Sequence, residues 1–192
     1  METLKQITIV IKRNMKNIIY LSIVLIFVQA CFAQEGYNSL NDTEYANVKF
    51  QGVSFEAIKA TDGDVQAMRE LFPSSTASNH PDAFKVDEFG SEIGEPQRYF
   101  YFNSGLKIFF GLEGPNVPAE IGRLESPDIT VLGHHLEVGD SIDVFGDDIE
   151  FNQRKNGGYS IRFIKNNGYC CPIVIVFDRY NKITKIVYLI YT

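Results

Sequence analysis

The sequence predicts an α+β fold made of tandem units, each with one short helix packed on a three- to four-stranded antiparallel sheet. Three observations predict it. Gly63-Asp64 and Gly139-Asp140 each open a short segment with apolar residues at helical spacing, ending at Phe72-Pro73 and Phe145-Gly146. Alternating or continuous apolar runs follow each segment, at 98–102, 106–112 and 119–124, and again at 159–164, 171–177 and 183–191. Finally, 15 Phe and 10 Tyr supply a core by packing, which 3 cysteines cannot do by cross-linking.

The chain opens with an export signal. Lys12, Arg13 and Lys16 precede an apolar run at 18–28, interrupted by Tyr20 and Ser22, and Ala30 and Ala33 follow it ahead of Gln34. A membrane-spanning helix needs ~20 apolar residues, and this run is shorter. Two processing routes stay open. Cleavage after Ala33 satisfies a small-x-small rule with Cys31. Alternatively, Val28-Gln29-Ala30-Cys31 reads as a lipobox, with Cys31 lipidated. The signal is already complete from Met15, which makes Met15 a candidate start alongside Met1. Removing residues 1–33 takes away four basic residues and one acidic residue, so the net charge of −6 becomes −9. Such a surface repels phosphate backbones and anionic lipids, which argues against nucleic acid and favours a basic partner. No later segment is long and apolar enough to span a membrane, so the mature chain is expected to carry no transmembrane helix.

After the signal, residues 34–47 are polar and aperiodic and read as a flexible arm. The first unit covers 48–132. It begins with a strand at 48–60, broken near Gly52. A helix over Val65, Met68, Leu71 and Phe72 follows, capped by Asp62 or Asp64. A polar loop at 74–97 leads to a hairpin whose turn, Asn103-Ser104-Gly105, uses the freedom of glycine at positive φ. A third strand falls at 119–124. The second unit covers 133–192. Its helix of two turns uses Ile142, Val144 and Phe145 and ends at Gly146. A half-buried strand at 159–164 follows, then a strand at 171–177 that its unbroken apolar run makes central, a turn at Asp178-Arg179-Tyr180-Asn181 and a closing strand. Across the units Tyr99-Phe100-Tyr101 aligns with Tyr159-Ser160-Ile161, and Ile108-Phe109-Phe110 with Ile175-Val176-Phe177.

Gly-Asp, a short helix ending Phe-Gly, and strands closing on Phe177-Asp178 and Lys182-Ile183-Thr184-Lys185-Ile186 resemble the small α+β repeat units of bacterial envelope proteins. The β-lactamase inhibitory protein and the small outer-membrane assembly lipoproteins belong to that group. The likeness spans residues 63–191, and no family binding residue carries over. The resemblance implies units that bind another protein through a free sheet face or through loops.

Cys170-Cys171 admits a vicinal disulfide, a redox switch, half a metal site or the nucleophile of a small cell-surface hydrolase or thiol enzyme. Adjacent strand residues face opposite ways, so the pair reads as two small apolar side chains. His134-His135 falls in the connection between units and His80 in a loop, and both read as solvated. Asp143, Asp147, Asp148 and Glu150 lack the alternation of a calcium loop and read as a solvated acidic rim. No catalytic, metal or cofactor residue is assigned. The aromatic run is different in kind. Tyr99 and Tyr101 share one strand face, and with Tyr159, Phe163, Tyr188 and Tyr191 they make the expected partner-binding patch. The expected role is an exported, non-catalytic protein that binds another envelope or secreted protein through this aromatic face or through acidic loops, with an inhibitor or immunity role as its specific version. A structural lipoprotein anchored through Cys31 is the further alternative. Oligomeric state is left open.

Overall fold

A computed structural model describes residues 36–73, 84–90, 96–111, 119–154, 157–168 and 170–190. The export signal, Cys31, His80 and Tyr191 lie outside the described residues. Residues from Gly36 onward make one unit, and the fold is α+β with antiparallel sheets. Among the described residues no helix is long and apolar enough to cross a membrane.

The chain enters through β1 (Asn38–Leu40) and α1 (Asp42–Ala46). This corrects the expected flexible arm. β1 pairs in parallel with β11 (Tyr159–Lys165), and Leu40 and Tyr45 are buried. Asn41 and Glu44 form a reciprocal capping box, each side chain accepting from the other's backbone N–H at 3.0 and 2.8 Å. Two orphan donors are satisfied at once, which is how a helix of one turn persists.

The next segment corrects a second expectation. Instead of one strand, β2 (Lys49–Phe50) and β3 (Val53–Ser54) make a hairpin, and α2 (Phe55–Lys59) follows. Gln51 and Gly52 take φ of 50° and 77°, the left-handed pair that a two-residue turn needs. The Ser54 hydroxyl then accepts from the Ala57 N–H and starts the helix. Helix α3 (Val65–Leu71) is capped by Asp64, whose carboxylate accepts from Ala67 at 2.8 Å.

The large sheet holds β4 (Phe84–Gly90), β5 (Pro96–Phe102), β6 (Lys107–Gly111), β7 (Glu120–Ser126), β10 (Phe151–Gln153), β11, β12 (Ile173–Phe177) and β13 (Ile183–Leu189), with β1 at one edge. β4 lies inside the expected polar loop, and its charged Lys85, Asp87 and Glu88 suit an edge position. β4–β7 and β10–β13 are each antiparallel meanders, and they meet where β7 pairs with β13. β5 and β11 are second in their meanders, and β6 and β12 are third.

A smaller sheet runs β3-β2-β8-β9, with β8 (Asp128–Val131) and β9 (His134–Glu137) joined by a tight turn at Leu132-Gly133. His134 and His135 therefore stand on a strand and not in a connecting loop. The expected second helix is a 3-10 segment, Ile142–Asp148, broken at Gly146 where φ is 65°. Glycine adopts that angle without strain, and no α-helix continues through it.

One face of the large sheet carries the core. Phe100, Ile108, Leu124, Tyr188, Ile173 and Phe163 stand in one row across six strands, and all are buried. Helix residues Tyr45, Phe55, Ile58 and Met68 join the same buried cluster. Phe55 packs edge-on to Tyr188 at 4.6 Å, and Phe72 meets Phe102 at 4.9 Å. Strands β11 and β12 are buried on both faces, at Ser160, Ile161, Phe163 and Ile164 and at Ile173, Val174 and Ile175. β11 is therefore more central than its alternating sequence predicts, whereas β12 matches its apolar run.

Candidate functional site

Two places bring the singled-out residues together. The larger is a cavity of about 340 Å³ between the 3-10 segment and the ends of β10, β11 and β12. Its position is set by backbone hydrogen bonds. The Ile142 N–H donates to the Asn181 carbonyl at 3.0 Å, and the Ile183 N–H donates to the Asp140 carbonyl at 2.9 Å. These staple the 3-10 segment to the turn that precedes β13. That turn is held in its own right: the Asp178 carboxylate accepts from the N–H groups of Tyr180 and Lys182 at 2.8 and 3.0 Å.

The cavity floor is apolar, with Ile142, Ile149, Ile161 and Phe177. Its walls include Phe151 and Tyr159. Tyr159 stacks on Phe177 with centroids 5.5 Å apart and planes at 19°. Phe151 stands 6.0 Å from each, with its plane turned 81° from Tyr159 and 78° from Phe177. Phe151 is 60% exposed. Val144, next to lining residues Asp143 and Phe145, is 48% exposed, and Tyr180, between Arg179 and Asn181, is 66% exposed. An exposed aromatic ring in the lining of a partly apolar cavity, as Phe151 is, has the composition of a binding surface.

Asp143 and Asp147 line the same cavity. The Ser141 hydroxyl and the Asn181 amide, with the Lys182 charge beyond, hold the Asp143 carboxyl below its ordinary value. Asn181 Nδ2 donates to Asp143 at 2.7 Å. The lining cation, Arg179, turns to its neighbour: its guanidinium lies 4.7 Å over the Tyr180 ring and donates to the Tyr180 hydroxyl at 2.6 Å.

The second place is a shallower groove of about 220 Å³ on the opposite face of the large sheet, lined by Tyr99, Tyr101, Lys107, Phe109, Arg123 and Glu125. Tyr99 and Tyr101 stack at 5.9 Å, and Phe109 lies 4.6 Å from Tyr99. The Phe109 ring crosses Gly122, where an added Cβ would come within 2.7 Å of it. Lys185 and Arg123 each approach Glu125 at 3.2 Å. Burial pushes the Glu125 carboxyl up, but Lys185, Arg123 and Lys107 together outweigh burial and hold it low.

The expected five-tyrosine patch is thus divided. Tyr99 and Tyr101 are half-buried on one face, while Tyr159 lines the end cavity on the other. Tyr188 is only 6% exposed and belongs to the core, and Phe163 is fully buried. Register explains the split: Tyr188 pairs with Leu124, and Tyr159 with Phe177, so both share the parity of core residues.

Cys170 and Cys171 are joined in a vicinal disulfide. This corrects the expectation of two separate apolar thiols. They sit in the β11–β12 connection, not within β12, so no strand pleat turns their side chains to opposite faces. Cys171 takes a φ of 67°. Among the described residues no cluster of three His, Cys, Asp or Glu is placed to hold a metal. His134 packs its ring edge-on to Phe145 at 5.6 Å.

No protein-family model matches the chain, nor does any curated protein or solved structure.

The residue that sequence reasoning missed is Phe151. Its signal is a lone aromatic between Glu150 and Asn152, in a stretch too polar to need it for a core.

Proposed function

We propose that this is an exported, non-catalytic binding protein that holds another envelope or secreted protein, with the end cavity as its anchoring site. One observation carries the reading. Phe151 leaves a large apolar side chain 60% exposed in the lining of a cavity that also holds Ile142, Ile149, Ile161, Tyr159 and Phe177. Leaving such groups in water costs about 25 cal/mol per Å² of apolar surface, which a partner's side chain filling the cavity recovers. Asp143 and Asp147, expected from the sequence as part of a solvated acidic rim, border the same space. The weak internal likeness between the halves is carried by the two four-stranded meanders joined along β7 and β13, and the groove at Tyr99 and Tyr101 offers a second contact area. A thiol enzyme is the less favoured reading, because a disulfide between Cys170 and Cys171 leaves neither sulfur as a thiolate nucleophile.

The test is capture from envelope extract by the mature protein, compared with Phe151→Ala. An aromatic anchor is worth about 2 kcal/mol at an interface, so one captured species should be retained more than about ten-fold less well by the variant. Retention equal to wild type for every captured species would remove the end cavity as the anchoring site.

A further inference from the structure

A cavity that combines aromatic rings with carboxylates recognises positive charge. The face of an aromatic ring carries the negative part of its quadrupole, and a carboxylate adds a full charge. The end cavity has both. Phe151 and Tyr159, with planes at 81°, form a corner, and Asp143 and Asp147 line the same volume. Asp143 is fixed toward this site by Asn181 and stays ionised across the neutral range. The cation already in the lining, Arg179, is engaged by the ring and hydroxyl of Tyr180. Asp148 and Glu150, both exposed, flank the lining in sequence and add to its negative field. The floor at Ile142, Ile149 and Ile161 suits the methylene stem that carries a basic head group.

We propose that the cavity receives a basic side chain of the partner, its stem on the isoleucine floor and its guanidinium or ammonium head between the Phe151–Tyr159 corner and the Asp143 and Asp147 carboxylates. This rests on the binding reading given above. An arginine suits the site better than a lysine, because a planar guanidinium both stacks on a ring and bonds a carboxylate.

The test titrates the isotope-labelled protein with N-acetyl-arginine methylamide and with its citrulline counterpart, a neutral molecule of the same shape, and follows backbone amide resonances. Arginine should shift the amides of residues 142–153 and 177–181 saturably, and citrulline should bind at least about five-fold more weakly. Phe151→Leu keeps an apolar group but removes the ring, and should weaken arginine about two- to five-fold. Asp143→Asn and Asp147→Asn should each weaken it without shifting the thermal midpoint by more than a few degrees. Equal binding of citrulline would overturn the proposal. So would arginine binding that is indifferent to all three substitutions. Choline serves as a further arm: if it binds more tightly than arginine, the ligand is a free quaternary ammonium and not a partner's side chain. The two readings fail separately. If Phe151→Ala abolishes capture while arginine gives no saturable shift, the partner remains and the basic anchor falls. If arginine binds but capture ignores Phe151, the partner docks elsewhere.

Discussion

At the scale of single residues, burial and close approach carry the consequences. Burial pushes the Tyr188 phenol up to about 12, with the Glu120 and Glu56 charges adding to the effect. Tyr45 shifts in the same direction, also chiefly through burial. In the unfolded chain a tyrosine ionises near pH 10. Between those values the unfolded state has lost protons that the folded state keeps, so stability is full below about pH 10 and falls as pH rises. Tyr188→Phe should flatten the alkaline limb of a stability–pH curve measured by urea unfolding; an unchanged slope would show that Tyr188 is not desolvated. Gly122 is a second pressure point. Gly122→Ala drives a methyl group into the Phe109 ring, and overpacking of this kind costs about 1–3 kcal/mol. The open-face groove would lose its shape along with that stability. At the β11–β12 connection, the chain without residues 1–33 should titrate no free thiol until a reductant is added, and Cys170→Ser should expose one. Two free thiols in the native protein would mean that Cys170 and Cys171 are plain apolar residues.

At the scale of elements, short pieces with strong local chemistry decide the structure. α1 has only five residues, too few for any periodicity to register, and its stability rests on Asn41 and Glu44. Asn41→Ala should cost about 1 kcal/mol in denaturant unfolding. A substantial loss is expected in hydrogen-exchange protection at Tyr45 and Asn47, with little change at β12. The capping-box spacing was legible in Asn41-Asp42-Thr43-Glu44, yet a polar composition drew the segment toward an unstructured reading. β4 went unseen for a related reason. Lys85, Asp87 and Glu88 interrupt its apolar positions, as an edge strand requires, and Phe84 and Val86 alone do not outweigh them. The 3-10 segment shows the opposite error. Ile142, Val144 and Phe145 fit a helical stripe, but positive φ at Gly146 ends it after a single tight stretch. That break opens the end cavity, since a continued helix would carry Asp147 and Ile149 elsewhere.

At the scale of the whole molecule, the β7–β13 pairing binds the two meanders into one sheet with a continuous buried row. Leu124 sits in that row beside Tyr188, fully buried, so Leu124→Ala should cost about 2–5 kcal/mol. Because the row crosses both meanders, the loss should appear as one cooperative transition when followed by fluorescence and by circular dichroism. Separate transitions for residues 84–126 and 151–189 would instead mean that each meander is a folding unit by itself. Charge is distributed at this scale too. The carboxylates of Asp143 and Asp147 border one cavity, while Lys107, Arg123 and Lys185 surround Glu125 on the far face. A net charge therefore says little about either surface.

The amino-acid order alone determined the α+β class, a helix capped by Asp62 or Asp64, the turn at Gly105 and the double-sided burial of β12, because each depends on local spacing or on an unbroken apolar run. The split of the tyrosines between core, groove and cavity, the place of Phe151, and the meeting of Asp143 with an aromatic corner were decided only by the folded chain. They depend on strand register and on which strands become neighbours, and a one-residue change in register moves every side chain to the other face.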